Sequence, residues 1–181
     1  MPGGEWEARP IAQPEAREYL GWQYEPPYDF YNIAPALWER ELGAMLHPAP
    51  GDFYYAVHRG GQMAGYFELH CRQNAAEIGV ALRPDLTGKG NGRGFLACVL
   101  AQARHLCRAE RFVLYVAAWN ERARRLYRWA GFEETGRQRW QVAGSAVEFI
   151  RMELPFQAFF EKTRKKLAIW QVYDILITAT L

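Results

Sequence analysis

The residues best placed to do chemistry surround a run of alternating glycines, Gly88, Gly90, Gly92 and Gly94, in the stretch LTGKGNGRGFLACVL. A turn so poor in side chains lets several backbone N–H groups converge on one anion. Apolar residues then recur at helical spacing: Phe95, Leu96, Val99, Leu100, Ala103, Leu106 and Cys107. A helix starting here adds its unpaired N–H donors and the positive end of its dipole. Lys89 and Arg93 supply two cations at the same place. The expected guest of Gly88, Lys89, Gly90, Asn91, Gly92 and Arg93 is a diphosphate.

Two familiar phosphate patterns fit less well. A P-loop needs GxxxxGK followed by Ser or Thr, and the chain has no such match. Gly92 to Ala97 does satisfy the spacing of the dinucleotide fingerprint, GxGxxG/A. That fingerprint follows its strand directly, whereas Arg83 to Lys89 intervene here, and the next strand, FVLYVAA, ends without an acidic residue. The bland alternative is a glycine-rich loop that only turns the chain.

The elements that must position this turn are legible in outline. Trp6 to Ile11 reads as a strand, and Pro14 opens a helix carrying Ala16, Tyr19 and Leu20. GWQYEPPYDFYNI shows neither strand nor helix periodicity and reads as a structured loop or a short broken helix. Ala36 to Leu46 follows as a helix with Leu37, Leu42 and Met45 on its apolar side. Phe53–His58 and Met63–His70 make a hairpin around Gly60-Gly61. Glu77–Leu82 and Phe112–Ala118 are further strands, the second a buried run by composition. Asn120 is a helix N-cap, Glu121 suits the helix dipole, and Gly131 stops the helix. Phe132–Trp140 and Val147–Leu154 close the order as an antiparallel pair around Ala143-Gly144-Ser145. The resulting β-α-α-β-β-β-α-β-α-β-β order predicts one mixed α/β sheet flanked by helices.

Composition narrows the function. The 181 residues fit one ordinary domain, half hydrophobic, with a net charge of +2 that gives no general case for nucleic-acid binding. Cys71, Cys98 and Cys107 are too widely spaced for a zinc site and are expected as reduced, mostly buried thiols of a cytoplasmic protein; no metal is expected. No apolar run reaches the length of a membrane span, and the first residues do not read as a signal peptide. Beyond Leu154 the chain turns basic, from Lys162 to Lys166, and then apolar. Residues 155–181 are read as an extension serving as a packing element or an oligomer contact, such as that of a homodimer. Association with a membrane surface is a lesser reading.

With these elements in order, the sequence resembles the GNAT superfamily of acetyl-CoA-dependent N-acetyltransferases. The family's acetyl-CoA motif, Q/R-x-x-G-x-G/A between a strand and a helix, falls on Thr87-Gly88-Lys89-Gly90-Asn91-Gly92, with Thr87 in place of Gln or Arg. The second family block, an asparagine followed by AxxLYxxxGF, fits NERARRLYRWAGFEETG from Asn120 to Gly136. The resemblance spans about Trp6 to Leu154 and assigns residues 1–154 to the acetyltransferase domain.

The resemblance implies a V-shaped splay between two central parallel strands, Glu77–Leu82 and Phe112–Ala117, with acetyl-CoA lying in it. Its pantetheine arm would run along Ile78–Leu82, touching Val80 and Leu82, and Asn120 would contact that arm as well as capping its helix. Tyr127 falls at the general-acid position; its other reading is a core tyrosine beside Ala123 and Leu126. A phenol near ~10 can return a proton to a thiolate whose thiol titrates near ~8.5. The base is left between Glu77, which opens the cofactor strand, and Glu68 on its neighbour.

The acceptor is expected to be an amine, on a small molecule or a peptide. The RPD…GxGRG…NxxAxxLYxxxGF pattern suggests the ribosomal-protein alanine N-acetyltransferases as near relatives, but Tyr115 stands where they carry a glutamate. The aromatic loop, with Tyr28, Phe30 and Tyr31, is expected to wall the acceptor site, and Glu25 and Asp29 could help to hold a cation there. Ordinary loop packing is the competing reading. At the level of the whole chain, the rival to an enzyme is a non-catalytic acyl-CoA-binding or interaction module of the same fold.

Overall fold

A computed structural model of the chain describes residues 4–142 and 144–156. The strands are β1 (Trp6–Pro10), β2 (Asp52–Arg59), β3 (Gln62–Arg72), β4 (Ala75–Leu82), β5 (Arg111–Ala117), β6 (Glu133–Val142) and β7 (Ser145–Pro155). The helices are α1 (Gln13–Leu20), α2 (Trp38–Leu46), α3 (Gly92–Leu106) and α4 (Glu121–Ala130). The element order matches the sequence reading, with short 3-10 turns added. The expected extension beyond Phe156 and Ala143 of the last hairpin lie outside the described residues.

Local chemistry sets the ends of these elements. Pro14 occupies the first turn of α1, where its missing N–H costs nothing, and the Glu15 carboxylate accepts from Ala12 N at 2.9 Å. Gly60 and Gly61, at φ of 57° and 79°, supply the left-handed pair that a tight β2–β3 turn requires. The aromatic loop is a 3-10 turn over Tyr28–Tyr31. Pro35–Leu37 forms a second such turn, so α2 begins at Trp38 and not at Ala36. Leu37 then falls outside the apolar stripe and is exposed, while Leu42 and Met45 are buried as expected.

The seven strands form one sheet in the order β1-β2-β3-β4-β5-β7-β6, antiparallel except between β4 and β5. Alternation along β3 divides the core. Phe67 and Leu69 join Phe95, Leu96, Val99 and Leu100 of α3 in the larger cluster, with Phe112 and Leu114 of β5. Tyr66 joins Ala16 and Leu20 of α1 and Leu42 and Met45 of α2 on the opposite face. Each fully buried large side chain contributes about 1.5–3 kcal/mol. Two unequal half-cores therefore clamp one sheet.

The cysteine expectation is corrected. Cys71, at the end of β3, and Cys107, which caps α3, are paired as a disulfide with Cα atoms 6.1 Å apart. Packing α3 across the sheet brings its C-terminus onto the end of β3, a meeting that a separation of 36 residues conceals. Cys98 alone remains free.

Candidate active site

β4 and β5 pair only through Ala75–Arg111, Ala76–Phe112 and Glu77–Val113. β4 then follows β3 up to Leu82, and β5 follows β7 up to Ala117. Each strand stays with its antiparallel partner, so the two part company beyond Glu77. A cavity of about 800 Å³ fills the opening and is lined by both strands, the glycine turn, α4 and the aromatic loop.

The turn at one mouth is shaped for a guest. Gly88 and Gly90 adopt φ of 74° and 80°, conformations that L side chains avoid. A Cβ built on either would have no neighbour within 4 Å, so the space above both is open. Thr87, the departure from the family motif, closes the preceding turn by donating Oγ1–H to Pro84 O at 2.8 Å. Asn91 donates to Leu86 O at 2.9 Å and accepts from Arg59, so its role is to brace the loop. Gly92 and Arg93 line the cavity at the start of α3, and the Arg93 guanidinium lies 4.9 Å over the Trp129 ring. Lys89 and Asn91 are not among the lining residues, whereas Thr87, Gly88 and Gly90 are.

Asn120 serves two partners. Its Oδ1 accepts from Ala123 N at 3.1 Å, the expected cap, and its Nδ2 donates to Tyr31 Oη at 3.1 Å. The aromatic loop is thereby fastened to α4. A second tie is Tyr24, whose hydroxyl donates to Leu82 O at 2.9 Å, pinning the loop to the end of β4. Val80 and Leu82 line the cleft. Tyr28 and Tyr31 line it too, while Phe30 stands behind them against Trp119 and Phe149.

Tyr127 lines the cavity and is 8% exposed. Burial, with Tyr31 beside it, pushes its phenol above the usual range, so it stays protonated at any working pH. Among the described residues its hydroxyl makes no hydrogen bond. A buried tyrosine hydroxyl wants a partner, and this one opens onto the space a ligand would fill.

The two carboxylates left open by the sequence are separated by register. Glu77 stands opposite His70 and Val113, at the closed end of the V, and does not line the cavity. Glu68 stands opposite Gly79, beyond the parting of the strands, and lines it. A Cβ at position 79 would come within 2.6 Å of Glu68 Oε1, so the glycine makes room for that carboxylate. Tyr66 donates its hydroxyl to Glu68 Oε2 at 2.9 Å, and the Tyr19 ring stacks on Tyr66 at 3.8 Å. The i, i+2 spacing of Tyr66 and Glu68 was the available signal that they share a strand face.

Behind Glu68 lies His70, with Nε2 3.9 Å from Glu68 Oε1 and Nδ1 3.0 Å from Asp52 Oδ1. Glu68, opposed by partial burial and reinforced by Asp52, raises the imidazole to about 9. The pair should therefore stabilise the fold fully below the unfolded-state value near ~6.5 and lose that contribution as pH rises through about 9. His70→Gln is expected to lower Tm at pH 6 and to match the wild type above pH 9.5 or so, read by thermal melts across pH. An equal deficit at both ends would mean that packing, not charge, is what the histidine provides.

Comparison with known proteins agrees with this geometry. The sequence model of the Acetyltransferase (GNAT) family matches residues 13–132, more than half of the chain. Among solved structures, a spermidine N-acetyltransferase from Vibrio cholerae in complex with CoA and spermine superposes with a TM-score of 0.74 at 19% identity, over 86% of this chain and 98% of that one. A chimeric spermidine N-acetyltransferase from Vibrio cholerae and hSSAT gives 0.74 at 20%, over 87% and 99%. A dodecameric form of the Vibrio cholerae enzyme gives 0.68 at 19%, over 88% and 98%. Among the described residues no helix is long and apolar enough to cross a membrane. With its strands parted over a glycine turn and the family's sequence pattern across most of that fold, the chain belongs to the GNAT family of acetyl-CoA-dependent N-acetyltransferases.

Proposed function

We propose that this protein acetylates a primary amine by direct attack within a ternary complex. The observation that carries the reading is the cleft itself: it joins an open glycine cradle to a Tyr127 hydroxyl with no hydrogen bond among the described residues and to a Glu68 carboxylate. Acetyl-CoA supplies the activated acetyl thioester. Gly88, Gly90, Gly92 and Arg93 hold its diphosphate through backbone N–H groups and charge, and the free edge of β4 around Val80 receives the pantetheine arm as an added strand would be received.

An alkyl ammonium near ~10.4 is neutral to an extent on the order of one part in a thousand or less at pH 7, so the protein must help remove a proton. Glu68 takes it, directly or through one water. A strand N–H near Val80 polarises the acetyl carbonyl. As the nitrogen–carbon bond forms and the carbon–sulfur bond breaks, Tyr127 gives its proton to the departing sulfur. Glu68 replaces Glu77 in this scheme because it lies in the cleft. A purely binding module would leave the Tyr127 phenol without work.

Acetyl-CoA at a hundredfold excess over its Kd is expected to stabilise the protein by about 2.7 kcal/mol, read as a rise in Tm. NAD at the same concentration should do much less, and an equal shift would restore the dinucleotide reading. Release of free CoA thiol on addition of an amine tests the chemistry. Tight acetyl-CoA binding with no thiol release from any amine would make the protein a binding module.

A further inference from the structure

The cleft has an unusual charge balance. Among the described lining residues Glu68 is the only carboxylate, against the guanidinium groups of Arg93, Arg122 and Arg125. Arg93 belongs to the diphosphate turn, but Arg122 stands at the acceptor wall, 3.8 Å over the Tyr28 ring. The cation–π position on that ring is thus filled by the protein's own cation. Glu25 and Asp29, the acids of the aromatic loop, are exposed and do not line the cleft. A substrate with two or more positive charges would find one carboxylate and meet a fixed positive charge beyond it.

What the wall does offer is aromatic surface. Of the four large hydrophobic residues exposed among the described ones, Tyr31 at 37% and Trp119 at 41% sit together, with ring centroids 5.9 Å apart. Tyr28 approaches Trp119 at 5.7 Å, and Phe30 supports it edge-on at 5.9 Å. These rings continue from the cleft that Tyr28 and Tyr31 line out to the surface. Exposed rings already braced by one another are a preformed surface for a flat apolar group.

We propose that the acceptor is a monoamine carried on an aromatic body, its nitrogen at Glu68 and its ring on Tyr31 and Trp119, and that Arg122 discriminates against polyamines. The inference rests on the N-acetyltransferase reading and names its substrate class. It departs from the spermidine and spermine that the similar structures act on or contain.

The test compares 2-phenylethylamine with spermidine on the full chain, by thiol release at saturating acetyl-CoA. Phenylethylamine is expected to show at least a tenfold higher kcat/KM. Trp119→Ala should raise its KM about three- to tenfold with no change in the KM for acetyl-CoA, and Trp119→Phe should restore most of the loss. Arg122→Glu should move the preference at least tenfold toward spermidine. Spermidine turned over as well as or better than phenylethylamine, or a KM indifferent to Trp119→Ala, overturns the inference while leaving the N-acetyltransferase reading intact. Transfer to n-hexylamine or to the α-amine of a short peptide but not to phenylethylamine overturns this inference alone; no transfer to any of these amines, with acetyl-CoA binding retained, overturns that reading and this inference with it.

Discussion

Tyr127→Phe is expected to lower kcat for acetyl transfer at least tenfold and up to about 100-fold, while the KM for acetyl-CoA stays within about twofold. The variant keeps the ring, so the edge-on contact with Phe132 at 5.8 Å and the packing beneath α4 persist. It removes one hydroxyl that has no partner among the described residues, so no buried acceptor is stranded by the change. What is lost is the proton for the departing thiolate, which water must then supply. The contrast is Gly90→Ala: at a φ of 80° the new side chain strains the turn and projects into the open cradle, so acetyl-CoA affinity falls first. Melting curves of Tyr127→Phe separate chemistry from folding. Full activity with a chemistry-limited amine would make Tyr127 a core residue only.

Glu68→Gln is expected to reduce kcat/KM for the amine by about 100-fold at pH 7, and the deficit should shrink as pH approaches the amine's own value near ~10.4. The amide is isosteric and can still accept from Tyr66, so the geometry around Gly79 is retained. Deprotonation is the step removed. Once solution supplies neutral amine, the carboxylate matters less, whereas the Tyr127→Phe deficit should shrink earlier, as pH rises through the thiol's own value near ~8.5, above which the thiolate leaves unprotonated. Different pH dependences for the two variants are therefore the signature of separate base and acid. Glu77→Gln, at the closed end of the V, should stay within about twofold of the wild type at every pH; a loss there larger than that of Glu68→Gln would return the base to β4.

Much of this was fixed by local physics and could be read along the chain. Helix ends follow from Pro14, Asn120 and Gly131, and the β2–β3 turn from Gly60-Gly61, because capping and turn chemistry act over three or four residues. The candidate anion turn is equally local, since strand, glycine turn and helix start lie within about twenty residues. Where expectation slipped locally, as at the start of α2, Pro35, just ahead of the pattern, opens a 3-10 turn that takes in Ala36 and Leu37, the first two residues of the expected helix.

The choice between Glu68 and Glu77 belongs to another scale. Alternation tells which face of a strand a residue occupies but repeats every two residues, so it cannot say how far along the sheet that residue stands. Only the register, Glu68 opposite Gly79 and Glu77 opposite His70 and Val113, puts one carboxylate above the parting of the strands and the other below it. The same holds for Arg122 on Tyr28, for Asn120 on Tyr31 and for Cys71 with Cys107. Each pair joins elements distant in sequence, and nothing in either residue's local surroundings encodes its partner. Residue types and spacing decided that this chain builds a cleft for acetyl-CoA; the packing of separate elements against one sheet decided which side chains meet inside it.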